Sequence, residues 1–135
     1  MNTLKRQQGL GMLGWLVVIA VAGFFLLCAF KVIPLYAENR YVISGLKSLV
    51  EPGTRLEDMS TAEIKKKMSN FYMINNVRSK EAQNIVVERD ARRVVVKIDY
   101  EARVNLFYNL DVVVNFQNHL DSTAPHQCCT PVAQQ

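Results

Sequence analysis

From Leu10 to Phe30 the chain carries no charged side chain, and apolar residues follow one another without any helical or strand period. As an α-helix this stretch is roughly 30 Å long, about the thickness of a bilayer's hydrocarbon core. A helix that is apolar on every side needs either lipid or a large domain around it, and a chain of 135 residues is too short to supply the domain. Trp15 near one end, Tyr36 beyond the other and Lys31 at the far edge are the residue types that sit at a membrane–water boundary. The pattern predicts a transmembrane helix over residues 10–30.

A period then appears. Val32, Leu35, Asn39, Val42, Leu46 and Leu49 recur at alternating intervals of three and four, and Tyr36, Ile43 and Val50 widen the same stripe. Pro34 removes one backbone donor and tends to kink a helix, yet kinks are tolerated in long membrane-derived helices, so the helix is expected to continue to Glu51-Pro52-Gly53. This is a stalk, residues 31–51. Its stripe is the candidate packing or docking surface: the chain's own domain covers it, or a second copy does in a parallel homodimer, an arrangement that a polar Asn39 at a core-type position would suit.

Residues 52–117 read as a small α+β domain. Ser60 three residues before Glu63 is a capping box, and Ile64, Met68 and Phe71 form one apolar face, which predicts a short helix over 61–71. Further on the period falls to two. Ile85 and Val87, then Val94, Val96, Ile98, Tyr100, Ala102 and Val104, then Leu110, Val112, Val114 and Phe116 alternate with polar neighbours. That is a three-stranded antiparallel meander with one buried face, turning at Asp90-Ala91-Arg92 and near Phe107-Tyr108-Asn109. The fold class is α+β, with a long N-terminal transmembrane and stalk helix and a short helix available to cover the sheet. After Phe116 the alternation decays into polar residues and prolines, and residues 118–135 are expected to be a mobile tail.

Charge changes the picture once it is divided along the chain. Of 16 Lys and Arg against 12 Asp and Glu, the bases Lys5, Arg6 and Lys31 precede every acid, leaving the part from Glu38 onward nearly neutral. A nucleic-acid partner is therefore not expected. Catalytic chemistry has no foothold either: no nucleophile stands with a base, no glycine-rich loop offers a phosphate cradle, and Asp99 and Glu101 alternate with Lys97 and Arg103 as ion pairs of a solvated sheet face do. No cofactor is implied. His119, His126, Cys128 and Cys129 lack the separated cysteine pairs of a zinc site, and a vicinal or intermolecular disulfide fits Cys128-Cys129 better. Lys65, Lys66 and Lys67 present a solvated helix face or a contact for acidic lipid head groups.

The N-terminus admits several readings. Lys5 and Arg6 followed by an apolar run resemble a signal sequence, with Ala20-Val21-Ala22 as its cleavage pattern, but GFFLLCAF continues the run beyond it. Cys28 is preceded by Leu27 rather than the small residue of a lipoprotein site. KRQQGLGMLGWLVVIAV resembles a type IV prepilin leader cut after Gly9, although Gly14 stands where pilins usually carry the glutamate that pairs with a neighbouring subunit's amine. An uncleaved signal anchor, with residues 1–9 cytoplasmic and the domain periplasmic, accounts for the whole run.

QQGLGMLG, KVIPLYAE, AEIKKKM, INNV and VVVKIDYEARVNLFYNLDVVVNF, in this order, are similar to the proteobacterial family called DUF4845. The resemblance implies a pilin-like helix anchoring a small domain in the bacterial inner membrane. It also implies a candidate partner, because the family's genes commonly lie beside the one for signal peptidase I. An accessory protein that binds another inner-membrane protein is the expected role, with a pilin-like structural subunit as the alternative. Membrane lipid is the other expected partner.

Overall fold

The computed structural model describes residues 11–131. One helix, α1, runs unbroken from Met12 to Ser48 with Pro34 inside it. A second, α2, spans Thr61–Ile74. Three antiparallel strands, β1 (Val86–Asp90), β2 (Arg93–Phe107) and β3 (Leu110–Asp121), form one sheet in sequential order. This is the α+β architecture that the periodicities predict.

α1 has two environments along its length. Through Met12–Phe30 almost every side chain is exposed, Trp15, Phe24, Phe25 and Phe30 among them. From Val42 onward the same helix enters the core, where Val42, Leu46 and Leu49 are fully buried. It ends in tight bonds from the Leu49 and Val50 amides to the Leu46 and Lys47 carbonyls. The chain then reverses through Glu51-Pro52-Gly53-Thr54. The Thr54 amide donates to the Glu51 carbonyl at 2.9 Å, Pro52 occupies the second position and Gly53 takes φ 92°, the arrangement of a type II turn, where the third residue needs the left-handed region.

α2 begins at the expected capping box. The Ser60 hydroxyl accepts from the Glu63 amide, and the Glu63 carboxylate accepts from the Ser60 amide at 2.7 Å. Those bonds from Ser60 hold the Glu63 carboxyl below the usual range. The helix runs to Ile74, three residues past its expected end at 71. Tyr72 continues the buried line of Ile64 and Met68. The exit is a Schellman arrangement: Asn76 takes φ 56°, and the Val77 amide donates to the Tyr72 carbonyl at 2.9 Å.

The inner face of the sheet is built from cross-strand pairs Val96 with Leu120, Ile98 with Asn118, Tyr100 with Phe116 and Ala102 with Val114. Val96, Ile98, Tyr100, Ala102, Phe116 and Leu120 of these pairs form one hydrophobic core with Leu46, Leu49, Ile64 and Met68, so both helices lie on the same side of the sheet. The fully buried Val, Leu, Ile and Met side chains among them each contribute about 1.5–3 kcal/mol.

The end of α1 supplies part of the core over residues 52–117, as a stalk covered by the chain's own domain would. The C-terminal end needs a correction. Residues 118–135 were expected to be a tail, but β3 continues to Asp121 and Leu120 is fully buried. The periodicity is lost there because the next inward position after Phe116 is an asparagine, which buries its amide by hydrogen bonding rather than by apolarity. Past the strand, Ser122 exchanges two bonds with Val94, its amide to the carbonyl at 2.9 Å and its hydroxyl accepting from the amide at 3.0 Å. Arg93 pairs with Asp121 at 2.7 Å. Burial alone would raise the Asp121 carboxyl, but hydrogen bonds from Thr123 and Arg93 outweigh it and hold it low. A 3₁₀ turn at Pro125–Gln127 then brings Cys129 back to bridge His119. The expected tail 1–9, the cut after Gly9 and residues 132–135 lie outside the described residues.

Candidate functional site

The stripe expected on the stalk divides by depth. Val42, Leu46 and Leu49 are fully buried, while Val32, Leu35 and Asn39 are half-buried. Of the residues expected to widen it, Ile43 and Val50 are half-buried and Tyr36 is exposed. The buried part faces the chain's own sheet and α2. At Gly45 the two helices come so close that an added Cβ would meet Met68 Cε at 3.0 Å and Phe71 Cδ1 at 3.1 Å.

Asn39 is the polar centre of this face. Its Oδ1 accepts from Asn118 Nδ2 at 2.7 Å and from the Tyr100 hydroxyl at 3.2 Å, tying α1 to both long strands. Beside it, Glu38 Oε1 accepts from the backbone amides of Arg78 and Ser79 at 2.8 and 2.7 Å. One turn of the stalk thus holds the sheet with one residue and the α2–β1 connection with the next. Burial pushes both Tyr72 and Tyr100 well above the usual phenol range, and the nearby Glu38 charge adds to it in each case. Neither phenol ionises near neutral pH. The Tyr72 hydroxyl is buried and has no hydrogen-bond partner among the described residues.

The connection held by Glu38 borders a cavity of about 540 Å³ between the end of α2 and the segment leading to β1, lined by Lys65, Ser69, Tyr72, Met73, Val77 and Ile85. Met73 and Ile74 project from the end of α2 with 76% and 83% of their surface exposed. Met73 lines the cavity, and Ile74 stands next to it in the chain. Sequence reasoning passed over this place because Met73 and Ile74 fall just after the expected helix end. It also passed over Glu38, whose signal was a carboxylate next to the one polar residue of an apolar stripe.

Of the residues considered for metal chemistry, His119, Cys128 and Cys129 are engaged otherwise, and His126 is exposed. His119 Nε2 lies 2.8 Å from Asp99 Oδ1. Cys128 and Cys129 are joined as a vicinal disulfide, and Cys129 Sγ lies 3.9 Å from the Ile43 carbonyl oxygen of α1. Among the described residues, no group of three or more His, Cys, Asp and Glu side chains is placed to hold a metal ion.

The stalk half of α1, all of α2, β1 and β2, and β3 as far as Phe116 fall within the match to the family model Domain of unknown function (DUF4845), which covers residues 31–116. The chain belongs to the DUF4845 family. The match takes in Glu38, Asn39, Tyr100 and the lining of the cavity, so these belong to the DUF4845 domain itself, whereas Asn118 and the disulfide follow it. The exposed apolar half of α1 precedes it, and this helix is long and apolar enough to cross a membrane. No curated protein and no solved structure matches the DUF4845 chain.

Proposed function

We propose that this DUF4845 protein is a single-pass inner-membrane accessory protein whose periplasmic domain binds another inner-membrane protein. The observation that carries the reading is the continuity of α1: an apolar half exposed on all sides passes without a break into a half that is core. A bilayer is the environment that would cover the first half, and the domain would then be held rigidly at its surface. Signal peptidase I, or secretion machinery near it, is the candidate partner through the family resemblance. Met73, Ile74 and the adjoining cavity are the contact surface.

The test is photo-crosslinking in cells from a benzophenone side chain placed at Met73, with Glu101 on the solvated sheet face as the control position. The expected result is an adduct from position 73, absent from 101, that contains signal peptidase I or a secretion component. Equal labelling from both positions would overturn the assignment of the surface. The pilin-like alternative, a subunit processed after Gly9, draws support from the long helix laid over an antiparallel sheet. It requires the intact mass of the mature protein to lack residues 1–9.

A further inference from the structure

The sheet descends along α1 toward its apolar half in steps that can be followed residue by residue. Tyr100 and Asn118 bond to Asn39. Next, the Phe116 ring meets Tyr36, with centroids 5.3 Å apart. Lower still, Lys31 Nζ donates to the Asn105 carbonyl at 2.8 Å. Lys31 is the first charged residue after the uncharged run that ends at Phe30. The β2–β3 hairpin does not stop there. Two further residues of strand, at roughly 3.3 Å each, carry its tip about one helical turn past Lys31, alongside the apolar run.

What the hairpin carries to that level is apolar. Phe107, Tyr108 and Leu110 are 69%, 83% and 55% exposed. The local structure presents them outward. Leu106 keeps the inward side of the alternation that Ala102 and Val104 follow, at 6% exposure, so Phe107 faces out, and a register shift between Asn105 and Phe107 interrupts the pairing just before the tip. Tyr108 adopts φ 48°, a left-handed conformation that a bulky side chain rarely takes and that Gly or Asn would occupy with less strain. Asn105 Nδ2 braces the tip by donating to the Tyr108 carbonyl at 2.9 Å and to Asp111 Oδ1 at 2.8 Å.

We propose that the tip of the β2–β3 hairpin is a second membrane contact: Phe107, Tyr108 and Leu110 enter the interfacial layer of the same bilayer leaflet from which α1 emerges. The inference rests on the reading that Met12–Phe30 spans that bilayer. Its occupant is lipid, because the tip lies level with the edge of the anchor, where any exposed side chain meets head groups before it meets water. A Phe and a Tyr at the end of a braced hairpin are the residues that the interface favours. With α1 and the hairpin both seated, the domain has two points of attachment and one orientation over the membrane.

The test uses the full chain in vesicles of phosphatidylethanolamine and phosphatidylglycerol with lipids brominated at a shallow acyl position. Trp15 is the chain's one tryptophan. In the unmodified protein its quenching by brominated lipid reports on the anchor. In a Trp15→Phe background, Phe107→Trp reports on the tip and Glu101→Trp on the sheet face above it. The expected result is that the indole at position 107 is quenched by brominated lipid and shielded severalfold from aqueous acrylamide, while that at 101 is open to acrylamide and untouched by lipid. An indole at 107 that acrylamide reaches freely would overturn the proposal while Trp15 quenching left the anchor standing. Shielding at 107 without lipid quenching would also overturn it, showing a protein surface over the tip. Loss of Trp15 quenching would instead remove the anchor, and with it the tip.

Discussion

Asn39 joins three parts of the chain through one oxygen. Its partners Tyr100 and Asn118 lie 61 and 79 residues away in sequence. Replacing it with leucine fills the stripe with a better apolar residue but leaves a buried amide and a buried hydroxyl without their acceptor. The unmet donors decide the sign, because desolvated polar groups cost about 1–3 kcal/mol when their partner is removed. Asn39→Leu should therefore lower the thermal midpoint of the full chain in detergent micelles. Adding Asn118→Leu removes one stranded donor together with its lost partner, so the double variant should recover part of the loss. A double variant as unstable as the sum of the two singles would show that the Asn39–Asn118 bond carries no coupling. At this scale the sequence was partly legible. The polar interruption of the stripe was visible, but it equally suited a homodimer seam, since the strand residues that answer it are distant along the chain.

Between the elements, the tightest constraint is the crossing of α1 and α2 at Gly45. Glycine is a poor helix former, disfavoured by about 1 kcal/mol against alanine, so its presence in a buried helical position reflects the closeness of Met68 and Phe71. Gly45→Ala sets that propensity gain against a contact that the flexible end of Met68 can relieve, and should change stability little. Gly45→Val adds two further methyls toward the same neighbours and should destabilise by about 1–3 kcal/mol as overpacking does. Thermal unfolding of the two variants checks the contrast; equal effects would mean that α2 can shift freely. Elements whose signal is periodic were legible in the residues: α1 through Pro34, the start of α2 at its capping box, and the inward faces of β1 and β2. Endings were less so. α2 outruns its expected limit because Asn75-Asn76 closes it by a left-handed residue rather than a proline or glycine, and β3 outruns its own because Asn118 takes an inward place that only an acceptor on α1 makes affordable.

For the molecule as a whole, the consequence of one helix serving as both apolar segment and core element is that the domain cannot loosen from α1 without unfolding. Leu46 states this most sharply, being fully buried in the same cluster as Val96, Ile98 and Leu120. Leu46→Asp places a carboxylate among the apolar side chains of that cluster, a cost on the order of several kcal/mol. A single domain has about 5–15 kcal/mol of stability altogether, so the variant should populate open forms that a protease can cut. Lys47, the next residue, is exposed, and Lys47→Asp exchanges a favourable charge at the helix C-terminus for an unfavourable one, each worth about 0.3–1 kcal/mol at a solvated surface. Limited proteolysis of the two full-length variants in detergent should therefore cut the Leu46→Asp domain rapidly, within β2 and β3, and leave Lys47→Asp as resistant as the parent. Should Leu46→Asp stay resistant while its adduct from position 73 disappears, the stripe would be contacting a partner rather than the sheet, and the fusion of helix and domain would not be what holds this protein together.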